Sequence, residues 1–319
     1  MGKKLLVTGG AGFIGAHFIE YILRNTNYEI TNLDALTYAA NPANVKEFED
    51  SERYHFIKCD IGDKEKLNLS ISHKYYAIIN FAAESHVDRS IDDPYPFIHS
   101  NITGTLNLLE AVLAGKADKM VQISTDEVYG SLKPNEAPFT EKTSLAPNNP
   151  YAASKAAADM LVRSYFKTHQ LNLNITRCSN NYGPMQHKEK LIPKVITKFL
   201  KHEKIPLYGD GQNIRDWLYV EDHCRAIRMV LESGKPGEVY NIGGSEEKTN
   251  IEVIEMILNK LGKEQAQVIK VPDRKGHDRR YSIDSTKILK DLGWKPEVTF
   301  EDGLIRTLDW YCSKANGRK

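Results

Sequence analysis

Cysteine is scarce and scattered. Cys59, Cys178, Cys224 and Cys312 are the only four in 319 residues. No CxxC or Cys/His pair has metal-ligand spacing, so no metal site is expected. Isolated thiols suit a reducing cytosol better than a disulfide framework. Charge of one sign is lacking too: 43 basic residues face 42 acidic ones, a net charge of +1. No global field would gather nucleic acid or an anionic membrane. No apolar run approaches the ~20 residues of a membrane helix. The opening MGKKLLVTGG is broken by glycine too early for a signal peptide. Internal repeats and low-complexity tracts are absent. The expectation is a soluble, cytoplasmic protein with neither nucleic-acid nor membrane partners.

The chain has a hydrophobic content of 41%, enough for one large domain or two ordinary ones with real cores. Its first half alternates in type. Apolar, β-branched runs at 3–9, 28–34, 54–60, 76–83, 119–125 and 173–179 read as strands. Between them, 13–25, 101–115 and 150–169 have helical spacing. Strands alternating with helices imply a parallel sheet covered on both faces. After Ser179 the rhythm changes, with frequent proline, glycine and basic residues up to about Asp222. Helices follow at 223–233 and 251–262, with a strand at 237–244. We therefore expect domains at 1–179 and 180–319, with 222–247 packing back onto the first.

GGAGFIG (9–15) lies between the first strand and the first helix. Gly9, Gly12 and Gly15 let the backbone turn tightly and approach a pyrophosphate at the helix N-terminus. The spacing is GxxGxxG rather than GxGxxG, but the strand-loop-helix setting is right. Asp34 ends the second strand 19 residues after Gly15. A carboxylate there accepts hydrogen bonds from a ribose 2′-hydroxyl and repels a 2′-phosphate, favouring NAD over NADP. The alternative is that Asp34 only caps a turn. Asp60, ending the third strand, could face the adenine.

YAASK (151–155) sets Tyr151 and Lys155 one helical turn apart on one face. An ammonium near a phenol favours the phenolate, so this spacing predicts a lowered tyrosine pKa and a general base near neutral pH. The alternative is a casual surface pair. In STDEVYG (124–130) two acids, Asp126 and Glu127, stand side by side at a strand's end. Adjacent carboxylates repel, which raises one pKa and leaves one acid and one base. Read alone, the pair could equally be a solvated loop.

GGAGFIG, Asp34, Tyr151 and Lys155 together resemble the extended short-chain dehydrogenase/reductase superfamily. The likeness implies an α/β fold: a Rossmann-type doubly wound parallel sheet with a smaller C-terminal substrate-binding domain. Seven further segments, in order, sharpen it: NLDALTYAANPANV, FAAESHVDRSI, STDEVYG, RCSNNYGPMQHKEKLIP, LYGDGQNIRDWLYVEDH, YNIGG and DRKGHDRRYSID. They resemble the dTDP-glucose 4,6-dehydratase family. Lys188 stands where that family more often has proline, and Ala40 where it often has glycine.

The resemblance implies NAD, used and regenerated within each turnover, and dTDP-glucose as substrate. Tyr151 would take the C4 hydroxyl proton, with Lys155 and Thr125 assisting; Glu127 would remove the C5 proton and Asp126 protonate the leaving C6 hydroxyl. NAD would contact Gly9, Gly12, Phe13, Ile14, Gly15, Asp34, Ala35, Leu36, Thr37, Asp60, Ile61, Phe81, Ala82, Ala83, Ser100, Tyr151, Lys155 and Asn181. The substrate would contact Ser85, His86, Thr125, Asn180, Lys190, Leu191, Pro206, Tyr208, Arg215, Asn250, Asp273, Arg274 and His277. Arg215 offers a forked donor set suited to phosphate. His86 could equally be a satisfied structural histidine, and Arg274 an ordinary solvated charge. A homodimer through helices 101–115 and 150–169 is also implied. The rival readings are a UDP- or GDP-sugar 4,6-dehydratase, a nucleotide-sugar 4-epimerase, and an NAD-binding sensor without chemistry. An epimerase needs no acidic pair, and a sensor needs neither that pair nor the Tyr-Lys couple.

Overall fold

The computed structural model describes residues 2–262, 266–273, 276–315 and 317. Its strands are β1 (Lys4–Thr8), β2 (Glu29–Asp34), β3 (Tyr54–Lys58), β4 (Ala77–Asn80), β5 (Met120–Thr125), β6 (Leu173–Cys178), β7 (Asn180–Tyr182), β8 (Ile205–Tyr208), β9 (Ile214–Tyr219), β10 (Val239–Ile242), β11 (Glu247–Thr249) and β12 (Val268–Val271). The helices are α1 (Phe13–Asn25), α2 (Lys64–Ser70), α3 (Val87–Asp92), α4 (Tyr95–Phe97), α5 (Gly104–Leu113), α6 (Pro150–His169), α7 (Leu191–Leu200), α8 (Val220–Ser233), α9 (Asn250–Leu261), α10 (Thr286–Leu292) and α11 (Phe300–Ala315).

Seven parallel strands form the expected central sheet, in the order β10-β6-β5-β4-β1-β2-β3. Leu5, Leu6 and Val7 in β1 are all fully buried, because the sheet is covered on both faces. Alternation divides them: Leu5 and Val7 join the core beneath α1 and α8, while Leu6 joins the core beneath α5 and α6. β10, from late in the chain, pairs with β6. A third core gathers residues of α7, α9, α11, β8 and β9. It lies with two small sheets, β11-β9-β7 and β12-β8.

Local signals explain where the elements begin. Asn149 caps α6 by accepting from the Ala152 amide, with Pro150 at the first helical position. Thr249 and Glu252 form a reciprocal capping box on α9. The expected helix over 101–115 enters differently: Ile98–Thr103 is a π-helical stretch that leads into α5. Buried Asn101 sits within it, accepting from Glu84 N at 2.8 Å and donating to Glu84 O and Ser154 Oγ. Those three bonds hold the widened turn against the loop after β4 and against α6.

Strand order reverses between β1 and β4, since β2 and β3 lie to one side of β1 and β4 to β6 to the other. The carboxyl edge at such a switch point is where a crevice opens in this architecture.

Candidate active site

One cavity runs along that edge, bordered by residues at the carboxyl ends of β1, β2, β4, β5 and β6. The glycine loop forms its floor. Gly9 has φ +70°, and a Cβ there would lie 2.6 Å from Ala82 N. A Cβ on Gly15 would lie 2.4 Å from Gly9 O. These contacts set the start of α1 tightly against β1 and β4. Gly12 caps α1 with no side-chain bond, so the first-turn amides, beside cavity-lining Phe13 and Ile14, are left for an anion. Asp34 accepts from Ala11 N at 2.9 Å and from Leu36 N at 2.8 Å, and still lines the cavity. It is thus both the cap and the cavity carboxylate that the sequence offered as alternatives. Burial pushes its pKa up, while the two amide bonds pull the other way.

Ala35, Thr37, Asp60, Ile61, Phe81, Ala82, Ala83 and Ser100 also line this cavity. Asp60 accepts from Gly62 N and meets His99 Nε2 at 3.0 Å. Leu36 does not border it: its φ is +55°, and its side chain packs onto the core beside α1. Helix-end amides, a carboxylate 2.9 Å from the glycine loop and an apolar slot fit a dinucleotide with its pyrophosphate on α1.

The chemical groups converge at the other end of the cavity. β5 stops at Thr125, and Asp126–Tyr129 makes a single 3-10 turn. Thr125 Oγ1 accepts from Glu127 N at 3.3 Å and donates to Asp126 Oδ1 at 3.2 Å. Tyr151 and Lys155 reach the same cavity from the first turns of α6. Lys155 Nζ donates to Ile123 O at 2.6 Å. The expected lowering of the Tyr151 pKa is reversed. Burial pushes the phenol well up, the Glu127 carboxylate adds to this, and the Thr125 hydroxyl offsets only part. The i, i+4 spacing showed the lysine but not the acid and the apolar walls around the tyrosine.

The acidic pair splits as the sequence suggests. Burial raises both carboxyls, and Asp126 is raised much the further, with Glu127 and Asp216 adding repulsion. Glu127 is raised less, because Lys190, Arg215 and the Asn149 amide favour its anion. Asp216 itself is pushed up to about 6 by burial. The pair therefore reads as a protonated acid beside a more readily ionised base.

A second cavity adjoins the first, sharing Glu127, Asn180, Asn181, Gln186 and Lys190 with it. His86, Leu191, Pro206, Tyr208, Arg215, Asn250 and His277 line it. Arg215 donates to Asp278 O at 2.9 Å and to Ile214 O at 2.7 Å, with its guanidinium 4.4 Å from the centre of the Tyr281 ring. Ser85 lines the first cavity instead, and its carbonyl accepts from Lys190 Nζ at 3.1 Å. Asp273 borders neither cavity; it holds His277 Nδ1 at 2.6 Å. Arg274 lies outside the described residues.

Several groups in or behind the cavity walls were not foreseen from the sequence. Asn149 reaches Glu127 Oε2 at 3.5 Å while capping α6. Asp278, Tyr281, Gln186 and Trp217 line the second cavity. His223, fully buried, meets Asn181 Oδ1 through Nδ1 at 2.8 Å. Burial depresses its pKa to about 3, so the ring is neutral. Only the Asn-Pro pair at 149–150, a helix-start signal, could have flagged one of these.

The family model described as GDP-mannose 4,6 dehydratase matches residues 6–307. The low-salt glycan biosynthesis protein Agl12 of Haloferax volcanii is 51% identical over 307 residues, covering 96% of this chain and 98% of that one. A dTDP-glucose 4,6-dehydratase of Streptomyces niveus is 48% identical over 313 residues, covering 97% and 92%. Among solved structures, DesIV, the dTDP-glucose 4,6-dehydratase of Streptomyces venezuelae crystallised with NAD and dTDP, superposes with a TM-score of 0.95 at 47% identity, covering 99% of both chains.

Proposed function

We infer the activity from the premise that the chain belongs to the GDP-mannose 4,6-dehydratase family, and within it lies beside dTDP-glucose 4,6-dehydratases that it matches end to end. It is an NAD-dependent hydro-lyase that converts dTDP-glucose to dTDP-4-keto-6-deoxyglucose and water. The observation that carries this reading is the split pair Asp126 and Glu127, set beside Tyr151 where the two cavities join.

The residues divide the work as follows. The α1 N-terminus and Asp34 would hold the dinucleotide, and Tyr151, Lys155 and Asn181 line the same cavity. Bound there, it would supply reversible hydride storage between C4 and C6 of the sugar. Tyr151 takes the C4 hydroxyl proton as its phenolate, a form that burial and Glu127 oppose and that the Thr125 hydroxyl and the Lys155 ammonium one helical turn away favour. The resulting ketone acidifies the C5 hydrogen; Glu127 removes it, and C5 is reprotonated once the hydride has reached C6. Asp126, kept protonated by burial, gives its proton to the C6 hydroxyl, which leaves as water. Arg215, Lys190 and the start of α7 face the diphosphate, while Pro206 and Tyr208 flank the base. In this scheme residues 1–179, with 222–247 packed back onto them, form the cofactor domain, and the rest of 180–319 the nucleotide-sugar domain.

Incubation with dTDP-glucose, following the 4-keto sugar by its absorbance in alkali, tests the reading. Keto-sugar formation is expected. A galactose-configured product with no keto sugar would overturn it in favour of a 4-epimerase, and NAD binding with unchanged sugar would leave a sensor.

Among the described residues no helix is long and apolar enough to cross a membrane. All four cysteines are free thiols, which fits the cytoplasm. Leu113 at the end of α5 and Met160 on α6 are each more than two-fifths exposed. A second copy packed on this face would cover them, giving a homodimer.

A further inference from the structure

Behind the active site Lys155 belongs to a buried charge cluster whose other members, Asp159 and Arg177, the chemistry above does not use. Asp159, Arg177 and Lys155 are exposed by 0%, 3% and 4%. Asp159 follows Lys155 by one turn of α6, so the two share a face of the helix. Arg177 on β6 donates from Nε to Asp159 Oδ2 at 2.9 Å. It also donates to the Tyr129 hydroxyl at 2.9 Å and lies over that ring, with its guanidinium carbon 4.8 Å from the centre. Tyr129 in turn donates to Asn241 Oδ1 on β10 at 2.8 Å. The carboxylate of Asp159 is thus anchored through the sheet rather than to solvent.

Lys155 needs such a countercharge. Among the described residues its hydrogen bond goes to a neutral carbonyl, that of Ile123. Burying an ammonium favours its neutral form. The ionisable groups bearing on it are Asp159 from its own helix and Cys178 from β6. Burial pushes the Cys178 thiol up to about 12, so it carries no charge near neutral pH. That leaves Asp159. Tyr151, the group Lys155 serves, is faced by Glu127, Asp126, Cys178 and Thr125, and its two acidic neighbours oppose its ionisation. Burial pushes the Asp159 carboxyl up, and Arg177 above all, with Lys155 and Ser124, pulls it back toward the anion.

We propose that Asp159 is a positioning residue: one helical turn from Lys155, it keeps that buried ammonium charged on the helix face it shares with Tyr151, and Arg177 holds Asp159. The role rests on the dehydratase reading.

The test is the pH dependence of keto-sugar formation from dTDP-glucose by the NAD-loaded enzyme, with thermal unfolding as a readout independent of turnover. Asp159→Asn keeps the side chain's shape and removes its charge. The alkaline limb of kcat is expected to move down by about one pH unit or more, with KM little changed. Because this variant strands the Arg177 charge, its melting temperature should fall. A second variant, Asp159→Leu with Arg177→Met, removes both members of the ion pair, so that no guanidinium is stranded, and still deprives Lys155 of its countercharge. It should recover much of the melting temperature and keep the shifted limb. The position of a limb does not depend on how much of the protein is folded. A wild-type limb in the double variant, with turnover restored, would overturn the proposal and leave the pair purely structural. Failure of the wild-type protein to make any keto sugar would instead sink the dehydratase reading itself.

Discussion

Arg89 and Glu189, 100 residues apart in sequence, meet at 3.0 Å beside the junction of the two cavities. Glu189 also lies 3.6 Å from His86 and 3.5 Å from His187. Burial works against the carboxylate, but the Arg89 bond and the two histidines hold it below the usual range. The segment carrying it crosses from β7 to α7, pinned by Lys190 to Ser85 O and by Tyr311 to Gln186 O. Gln186, His187 and Lys190 on this segment line the cofactor cavity. Glu189→Gln should release bound NAD faster, by up to about fivefold, the scale of one partly exposed ion pair. The NAD retained after rapid desalting measures this. Unchanged retention would mean that the Lys190 and Tyr311 contacts suffice alone.

Glu127→Gln removes the proposed C5 base and leaves the oxidising groups intact. NADH should form at 340 nm and persist, while keto-sugar production drops by about 10²-fold or more. Normal turnover would show that the base lies elsewhere.

Tyr151→Phe should slow even the first step, by about 10²-fold to 10⁴-fold, because it removes the group that takes the C4 proton. Single-turnover absorbance at 340 nm is the check, and undiminished NADH would remove Tyr151 from its role.

The raised Asp126 carboxyl also bears on stability. Its folded pKa lies above the unfolded one, so the folded state binds its proton more tightly. The resulting stability is fully present below the unfolded pKa, near 4, and is lost as pH rises through the folded value. Asp126→Asn carries no such proton. Melting temperatures of variant and wild type, compared from pH 5 to pH 8, should diverge in the variant's favour as pH rises. Parallel curves would mean that Asp126 is not raised.

The sheet was legible because its strands are apolar on both faces and its helices are amphipathic; 13–25 and 150–169 coincide with α1 and α6. The π-helical entry to α5 was not, since the bonds of Asn101 to Glu84 and Ser154 are long-range. The glycine loop, Asp34, the acidic pair and the Tyr-Lys couple could be read because each is a local pattern. The walls of the second cavity could not: Asp278 and Tyr281 reach it only through packing against Arg215. The direction of the Tyr151 shift failed for the same reason, as burial and Glu127 are tertiary facts.

The place of β10 at the end of the sheet has a consequence for synthesis. Residues 239–242 close the β6 edge, and α8, just before them, covers the face that α1 shares. A nascent chain with only its first 179 residues outside the ribosome would therefore present β6 as an open strand, with Leu5 and Val7 incompletely roofed. The nucleotide-binding half waits on later residues to finish its own architecture, and a fragment ending at Ser179 should aggregate rather than stand alone.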